Sequence, residues 1–342
     1  MRTIIFMLAV LCPAMCLGQI ELPEGFEIVD VVSDGDTVRV PAINNCGEIV
    51  FSQAAVEHET KEVYHYDNGR FERITFGGGV FPDINDLGTM VWCCGTSILM
   101  LQDELAYLGS CAAWQATVKI NNLNHVAWFW FEPVGCAYPS TILLYDGEDV
   151  TAISDSVFSN QAPELNDYDD IVWTAHDFCQ SPWTYEIILH TKSGEVSLPS
   201  AETQGGVPSI NNAGQVVWTA AHTIESWEEG VTTLLTDWGD SPSLNNLGDI
   251  HFIRWHDEID TWQAWYYQVS TGTPTFTASR TTVACTTVAT STTMEKPSGI
   301  PSPMVTTPTM IVGFTTCVAS AMATLISTVT SILTTSRHCR PA

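Results

Sequence analysis

Positive charge is scarce in this chain of 342 residues. Lysine and arginine number 12 against 39 aspartates and glutamates, which gives a formal net charge of −27. The imbalance is steeper before position 279, where 38 acidic and eight basic residues leave a formal charge of −30. Such a surface repels nucleic acids and anionic membranes, and it suits solubility or a cationic or divalent-ion partner. Nucleic acid is therefore excluded as a partner.

Recognisable catalytic motifs are also missing. The chain has no H-E-x-x-H, no G-x-S-x-G, no Walker loop and no dinucleotide fingerprint. Its nine histidines are scattered, and His65, His190 and His251 fall on predicted strands, where a packed and hydrogen-bonded role is expected. No C-x-x-C occurs, and Cys93 and Cys94 are adjacent, which argues against a zinc site. The sequence predicts no catalytic residue.

A ten-residue motif is present six times. The copies are AINNCGEIVF, DINDLGTMVW, KINNLNHVAW, ELNDYDDIVW, SINNAGQVVW and SLNNLGDIHF. Their first asparagines are Asn44, Asn85, Asn121, Asn166, Asn211 and Asn245. Spacings of about 34 to 45 residues are typical of propeller blades, solenoids and repeat arrays.

The polar centre of the motif predicts a tight turn between two strands. Asparagine and aspartate side chains bond nearby backbone amides, and glycine reaches positive φ without a Cβ clash. The apolar residues that follow are β-branched or aromatic, as expected of a buried strand. We expect the six aromatic residues that end the motifs to be buried at equivalent places: Phe51, Trp92, Trp128, Trp173, Trp218 and Phe252.

Hairpin signals between the motifs complete the repeat. Asp67-Asn68-Gly69 separates two apolar segments, and Asp146-Gly147 and Lys192-Ser193-Gly194 repeat the pattern. Each repeat therefore supplies four strands. The fold class is all-β: a six-bladed β-propeller of four-stranded antiparallel blades over residues 19–278, followed by a low-complexity Thr-rich tail. For ring closure we expect Val38–Val40 to pair with the strand at 250–255.

The repeats resemble a family of secreted bacterial, planctomycete-type β-propeller-like proteins. The blades of that family carry I-N-N-x-G-x-V-V-W followed by Y-D-G hairpins, and the resemblance covers about three quarters of the chain. It implies the propeller architecture, because the motif is a folding signature. Sialidase-type Asp boxes also place a tryptophan after a turn. The distance from the turn to the tryptophan is longer here, so no sialidase active site is implied.

The two ends of the chain differ from the repeats. Residues 1–18 carry Arg2 and an apolar run, which predicts a secretory signal peptide. Residues 281–342 contain 17 threonines and one acid. The 279–342 tail is rich in Thr, Ser and Pro and has three interpretations: a disordered tail, a stalk before a membrane span at 310–333, or a frameshift product.

Six cysteines remain between the signal peptide and the tail, an even number that favours disulfides in an exported protein. Cys136 and Cys179 follow Trp128 and Trp173 at similar distances in consecutive repeats. We predict that these two cysteines form a disulfide between neighbouring blades.

Acidic residues gather in the fourth motif, where Asp167, Asp169 and Asp170 lie together. Aspartate replaces the usual glycine there, so their hard oxygen ligands could gather a calcium ion, the one cofactor the sequence suggests. The alternative is a turn that needs no ion. Asp34 and Asp36 form a second cluster with the same two interpretations.

The sequence favours a secreted or cell-surface, non-catalytic binding module. Its partner would be an extracellular protein or a carbohydrate, and it would meet a membrane only through 310–333. A secreted propeller enzyme, a glycoside hydrolase or lyase with carboxylates in the central channel, is the first alternative. A membrane-anchored ectodomain is the second. Paired carboxylates in the channel would favour the enzyme, whereas a channel of Asn, Ser and backbone would favour binding.

Overall fold

The computed structural model describes nine segments of the chain: residues 39–54, 61–111, 117–131, 139–155, 158–177, 184–199, 206–256, 261–268 and 275–279. The regular elements within them are 24 β-strands. Among these residues no helix is long and apolar enough to cross a membrane. The predicted signal peptide and the candidate span at 310–333 lie outside the described residues.

The strands form six four-stranded antiparallel sheets arranged as the blades of a β-propeller. The first three blades are β1 (Arg39–Ile43), β2 (Ile49–Ala54), β3 (Lys61–Asp67), β4 (Arg70–Arg73); β5 (Val80–Ile84), β6 (Met90–Cys94), β7 (Ser97–Leu101), β8 (Leu105–Ser110); and β9 (Val118–Ile120), β10 (Val126–Phe131), β11 (Ser140–Tyr145), β12 (Val150–Ala152). The last three are β13 (Ser159–Leu165), β14 (Ile171–Asp177), β15 (Thr184–Thr191), β16 (Gly194–Leu198); β17 (Ser209–Ile210), β18 (Val216–Ala220), β19 (Thr223–Glu228), β20 (Val231–Thr236); and β21 (Asp240–Leu244), β22 (Ile250–His256), β23 (Thr261–Gln268), β24 (Thr275–Ser279). The predicted fold class is confirmed.

Each blade is built from one continuous stretch of chain. The asparagine turn joins the first and second strands of its own blade, so one repeat contains all four strands in spatial order. The predicted closure by strand exchange is therefore wrong. β1, which contains Val40, pairs with β2, and β22 pairs with β21 and β23. β24 completes the sixth blade.

The core lies between the blades, on the second strands. The six aromatic residues predicted to be buried are at most 2% exposed, which confirms that prediction: Phe51, Trp92, Trp128, Trp173, Trp218 and Phe252. Trp128 of the third blade packs among residues of the second, including Val91 and Ile98. Trp218 of the fifth packs in the same way on Ile187 of the fourth. In the second to sixth blades the aromatic side chain thus joins its blade to the preceding one.

A β-bulge recurs in the innermost strands of four blades. Val40, Phe81, Ala162 and Ser241 have φ between 47° and 53°, and the pairing register shifts at these points. A bulge re-aims the side chains beside it. In the second and fourth blades the bulge precedes Asp83 and Glu164, two half-buried side chains of the innermost strands.

Candidate functional site

The six asparagine turns lie at one end of the propeller and bond to one another. In the second blade, Asn85 Oδ1 accepts from the backbone N–H groups of Leu87 and Thr89, both at 3.0 Å. Its Nδ2 donates to the backbone carbonyl of Asn121 in the next blade at 2.9 Å. The same bond to the following blade, at 2.9 to 3.1 Å, is made by Asn44, Asn121, Asn166 and Asn211. In the first five blades the first asparagine thus closes its own turn and also positions the next blade.

The second residues of the turns are linked in succession from the first blade to the sixth. We call this set the Asx ring: Asn45, Asp86, Asn122, Asp167, Asn212 and Asn246. The backbone N–H of each of the first five donates to a side-chain oxygen of the next, at 2.7 to 2.9 Å. Asn122 Nδ2 bonds both the Asp86 and the Asp167 carboxylates, at 2.9 and 3.1 Å. The two negative charges of the ring are therefore held between asparagine amides.

The third residues of the turns point outward and are mostly apolar. We call this set the apolar rim: Cys46, Leu87, Leu123, Tyr168, Ala213 and Leu247. Leu87 is 65%, Tyr168 60%, Leu123 53% and Leu247 45% exposed. Sequence reasoning missed this feature, although the third motif position carries its signal. The turn face of the propeller, formed by the Asx ring and the apolar rim together, thus has a polar centre and an apolar margin.

The innermost strands carry three charged side chains from three consecutive blades. Lys119 Nζ lies 2.9 Å from Glu164 Oε1, and these two side chains are 30% and 22% exposed. Asp83 Oδ2 accepts from the Ile120 backbone N–H at 3.0 Å. Ser209 makes an equivalent link by accepting from the Leu244 N–H at 3.2 Å. Both links satisfy an amide at the exposed edge of the next innermost strand.

Burial and mutual attraction act on these charges in opposite directions. Burial raises the pKa values of Glu164 and Asp83, and the positive charge of Lys119 lowers them by a smaller amount. The pKa of each carboxyl group is therefore raised overall. Burial alone would lower the pKa of Lys119, but the carboxylates of Glu164 and Asp83 outweigh it, so its pKa is raised. Partial exposure of Lys119 and Glu164 moderates the cost of desolvation. Lys119 therefore stays charged and compensates the carboxylates.

The three aspartates predicted as calcium ligands have separate partners. Asp167 belongs to the Asx ring, and Asn212 Nδ2 donates to it at 2.7 Å. Asp169 Oδ1 accepts from Asn121 Nδ2 at 3.0 Å and lies 2.7 Å from His125 Nδ1. Asp170 Oδ2 accepts from Asn166 Nδ2 at 3.0 Å. Asp169 also takes the left-handed position of its turn, with φ of 66°, where four other turns have glycine. Calcium binding there stays a prediction, as it does at Asp34 and Asp36, which lie outside the described residues.

The structure shows a disulfide that sequence reasoning did not predict. Cys93 of β6 and Cys111, the residue after β8, form this bond within the second blade, and the adjacent Cys94 is a free thiol. The antiparallel return of the chain brings two cysteines 18 positions apart to the same end of one sheet. The predicted partners Cys136 and Cys179 lie outside the described residues.

Comparisons with known proteins support the fold. No protein-family model matches the chain, and no curated protein does. The β-propeller domain of the Trilobed protease from Pyrococcus furiosus, described as having an open velcro topology, is similar with a TM-score of 0.53 and 9% identity. The match covers 72% of this chain and 84% of that one. An acylaminoacyl peptidase from Pyrococcus horikoshii is similar with a TM-score of 0.51 and 10% identity over 68% of this chain.

TolB from Acinetobacter baumannii is also similar, with a TM-score of 0.45 and 16% identity over 61% of this chain. This chain spans 57% of the length of TolB and 45% of the length of the P. horikoshii peptidase. At 9% and 10% identity, the likeness to the Trilobed protease domain and to the P. horikoshii peptidase shows the β-propeller fold alone.

Proposed function

We propose that the protein is a secreted or cell-surface, non-catalytic binding module that takes a protein partner on its turn face. The apolar rim is the observation that carries this proposal, because four large apolar side chains are 45% to 65% exposed at equivalent points of one surface. Exposed apolar patches with polar neighbours mark interaction sites. The hydrogen-bonded turns beneath the rim keep this surface preorganised, which lowers the entropy lost on binding.

The chemistry of the turn face favours protein over carbohydrate and favours a basic partner. Aliphatic side chains predominate among the exposed rim residues, and Tyr168 is the aromatic member. Sugar rings stack on aromatic side chains, whereas leucines pack on apolar side chains of a protein. Asp86 and Asp167 at the centre complement a positive charge. The location outside the cell rests on the signal-peptide pattern of residues 1–18, and the resemblance to planctomycete-type secreted proteins supports it.

The rival function is a propeller enzyme, and the carboxylates of Asp83 and Glu164 in the channel favour it. Each of them, however, has a structural partner: Lys119 for Glu164 and the Ile120 amide for Asp83. These contacts indicate that the two carboxylates link neighbouring innermost strands, which is a structural role. Glu164→Gln distinguishes the two functions, because it would abolish hydrolase or lyase activity but leave partner binding on the turn face unchanged.

The test of the binding function compares rim and non-rim leucines. Peptides that bind the full chain are selected from a phage-displayed random library, and their Kd values are measured by calorimetry. We expect the Leu87→Asp/Leu123→Asp variant to weaken binding by about tenfold or more, because it places charge where apolar contact is needed. Leu105→Asp/Leu234→Asp is the matched control, because Leu105 and Leu234 are 61% and 59% exposed but lie on the outermost strands of their blades and belong to neither the Asx ring nor the apolar rim. Equal binding by the rim variant and the wild type would refute the proposal.

A further inference from the structure

A cavity of about 110 Å³ lies between the third and fourth blades, away from the turn face. Its base is formed by Trp173 and Ala175 of β14 and by Ile188 of β15, and Phe158 lies at its edge. Register places Trp173 opposite Ile188 and Ala175 opposite Glu186, so these side chains share the face of the fourth blade that packs on the third. The base of the cavity is therefore apolar.

Buried Asn160 gives the cavity a fixed wall. Its Nδ2 donates to the backbone carbonyls of Ser140 at 2.7 Å and Asp155 at 2.9 Å. Its Oδ1 accepts from Trp173 Nε1 at 2.9 Å. One side chain thus ties the third blade, the connection between the blades and the aromatic base together. The cavity is a built feature of this pair of blades.

The edge of the cavity is negatively charged. Four carboxylates contribute to its lining: Asp155, Asp177, Glu186 and Glu195. Ser197 Oγ donates to Glu186 at 3.1 Å, and His190 Nδ1 lies 3.6 Å from Glu195. These contacts leave the cavity with an acidic edge over an apolar base.

The corresponding space between the fifth and sixth blades is lined by an arginine of the protein itself, Arg254. Phe252 pairs with Trp265 in the sixth blade as Trp173 pairs with Ile188 in the fourth. Arg254, two residues after Phe252, therefore takes the position of Ala175. Its guanidinium lies 5.2 Å from the centre of the Trp265 ring, and Asp237 of the connection lines the same space. The protein itself places a guanidinium over an aromatic ring there, in a space whose lining includes a carboxylate.

We propose that the cavity between the third and fourth blades binds the guanidinium of an arginine side chain presented by a partner protein. The fourth blade has Ala175 where the sixth blade has Arg254, so this position supplies no guanidinium to the carboxylates that line the cavity. The volume equals that of about three or four liquid water molecules, which accommodates the heavy atoms of one guanidinium. Arginine is favoured over lysine because a planar guanidinium stacks on an apolar or aromatic surface and bonds carboxylates at its edge.

This site is separate from the turn face. The connection into the fourth blade and the end of β14 lie at the end of the sheet opposite to the asparagine turn, and Glu186 and Glu195 lie on the outer strands β15 and β16. Binding at the cavity therefore succeeds or fails independently of the apolar rim. A partner that contacts the cavity would approach the side of the propeller.

The test uses the full chain and two short peptides, acetyl-Gly-Arg-Gly-amide and the same peptide with citrulline in place of arginine. Citrulline keeps the shape of the side chain but has no charge. Binding is measured at low ionic strength by NMR titration of the tryptophan indole signals. We expect the arginine peptide to bind at least about tenfold more tightly than the citrulline peptide, because a charge-assisted pair is lost with citrulline.

Three variants locate the binding. Glu186→Gln should weaken binding of the arginine peptide by about tenfold, and Ala175→Arg should abolish it by filling the cavity from within. Glu104→Gln is the matched control, since Glu104 is an exposed acid in the second blade. If Ala175→Arg does not fold, as judged by circular dichroism, Glu186→Gln by itself tests whether the cavity binds the arginine peptide. Equal affinity for the two peptides, an unchanged affinity in Glu186→Gln, or an equal loss in Glu104→Gln would each overturn the proposal.

Discussion

The Asn85 side-chain amide donates to the backbone carbonyl of Asn121, 36 residues further along the chain, at 2.9 Å. This bond joins the turns of two neighbouring blades, and Asn85 itself is 4% exposed. The same amide also donates to Asn124 Oδ1 at 2.7 Å. A single buried side chain thus fixes both the shape of one turn and the position of the next blade.

Asn85→Ala should lower the free energy of unfolding by about 2–4 kcal/mol. The substitution leaves the Leu87 and Thr89 amides and the Asn121 carbonyl without this partner, and an unsatisfied buried polar group costs about 1–3 kcal/mol. Urea denaturation followed by tryptophan fluorescence measures the loss. Asn246→Ala is the control, because Asn246 is exposed, and it should cost less than about 1 kcal/mol. Equal losses in the two variants would contradict the role assigned to Asn85.

Trp218→Ala should cost about 3–5 kcal/mol through lost apolar burial and the cavity that remains. Trp218 is 0% exposed and packs against the fourth blade, whereas Trp238 is 41% exposed. Trp238→Ala is therefore the matched control and should cost less than about 1 kcal/mol. Thermal unfolding followed by circular dichroism compares the two. A small loss in Trp218→Ala would mean that the motif aromatics are not the main contacts between blades.

The repeat pattern predicted the fold because local turn chemistry and strand alternation coincide in every copy of the motif. The Asn85 turn and the burial of Trp92 follow from residue type and spacing alone. The position of the blade boundary could not be predicted in the same way. Whether the strand before the turn completes one blade or begins the next depends on contacts between strands, and an isolated repeat permits both.

The candidate sites could be predicted less well because they depend on contacts between blades. Nothing in the spacing of Lys119 and Glu164, 45 residues apart, indicates an ion pair until consecutive innermost strands are placed side by side. The exposure of Leu87 could not be predicted either, because leucine in a repeated motif is normally a core residue. Asp169 shows the opposite difficulty: its type suggested a metal ligand, but its backbone holds the left-handed turn position.

Removal of the Cys93–Cys111 disulfide should destabilise the protein by about 3 kcal/mol. A disulfide that closes a loop of about 15 residues stabilises a protein by this amount, because it restricts the unfolded chain. The pair is 18 residues apart in sequence. Cys111→Ser in the oxidised protein provides the measurement by urea denaturation. Cys94→Ser is the control and should leave stability within about 0.5 kcal/mol. Peptide mapping of the oxidised wild type would show the Cys93–Cys111 link directly, and it would also test the predicted Cys136–Cys179 link.

His251 should make stability fall as the pH decreases from about 6.5 to about 3. Burial lowers its pKa from 6.5 to about 3 in the folded protein, so over this interval the unfolded chain takes up a proton that the folded chain excludes. Stability from this group is complete above the unfolded pKa and is lost at about 1.4 kcal/mol per pH unit below it. His251→Gln should remove that slope, and replacement of the exposed His222 by Gln should not. Equal slopes in the wild type and His251→Gln would refute the assignment.

Lys119→Met should show the opposite pH dependence. Without the ammonium group, Glu164 and Asp83 keep their negative charges in the channel with no compensating cation, which we expect to cost about 2–4 kcal/mol at pH 7. Burial already raises the pKa of both carboxyl groups, and loss of the cation raises them further. A carboxyl group with a raised folded pKa stabilises the protein at low pH and loses that contribution as the pH rises. The stability of Lys119→Met relative to wild type should therefore decrease as the pH rises above 4.5, the ordinary pKa of a glutamate.

The double variant Lys119→Met/Glu164→Gln is the control for this channel experiment. It removes one of the two uncompensated charges together with the cation, so it should recover most of the stability that Lys119→Met loses at pH 7. Unfolding free energies of the wild type, both single variants and the double variant form a complete thermodynamic cycle. A coupling energy near zero would mean that the 2.9 Å contact between Lys119 and Glu164 contributes nothing to the joining of the third and fourth blades.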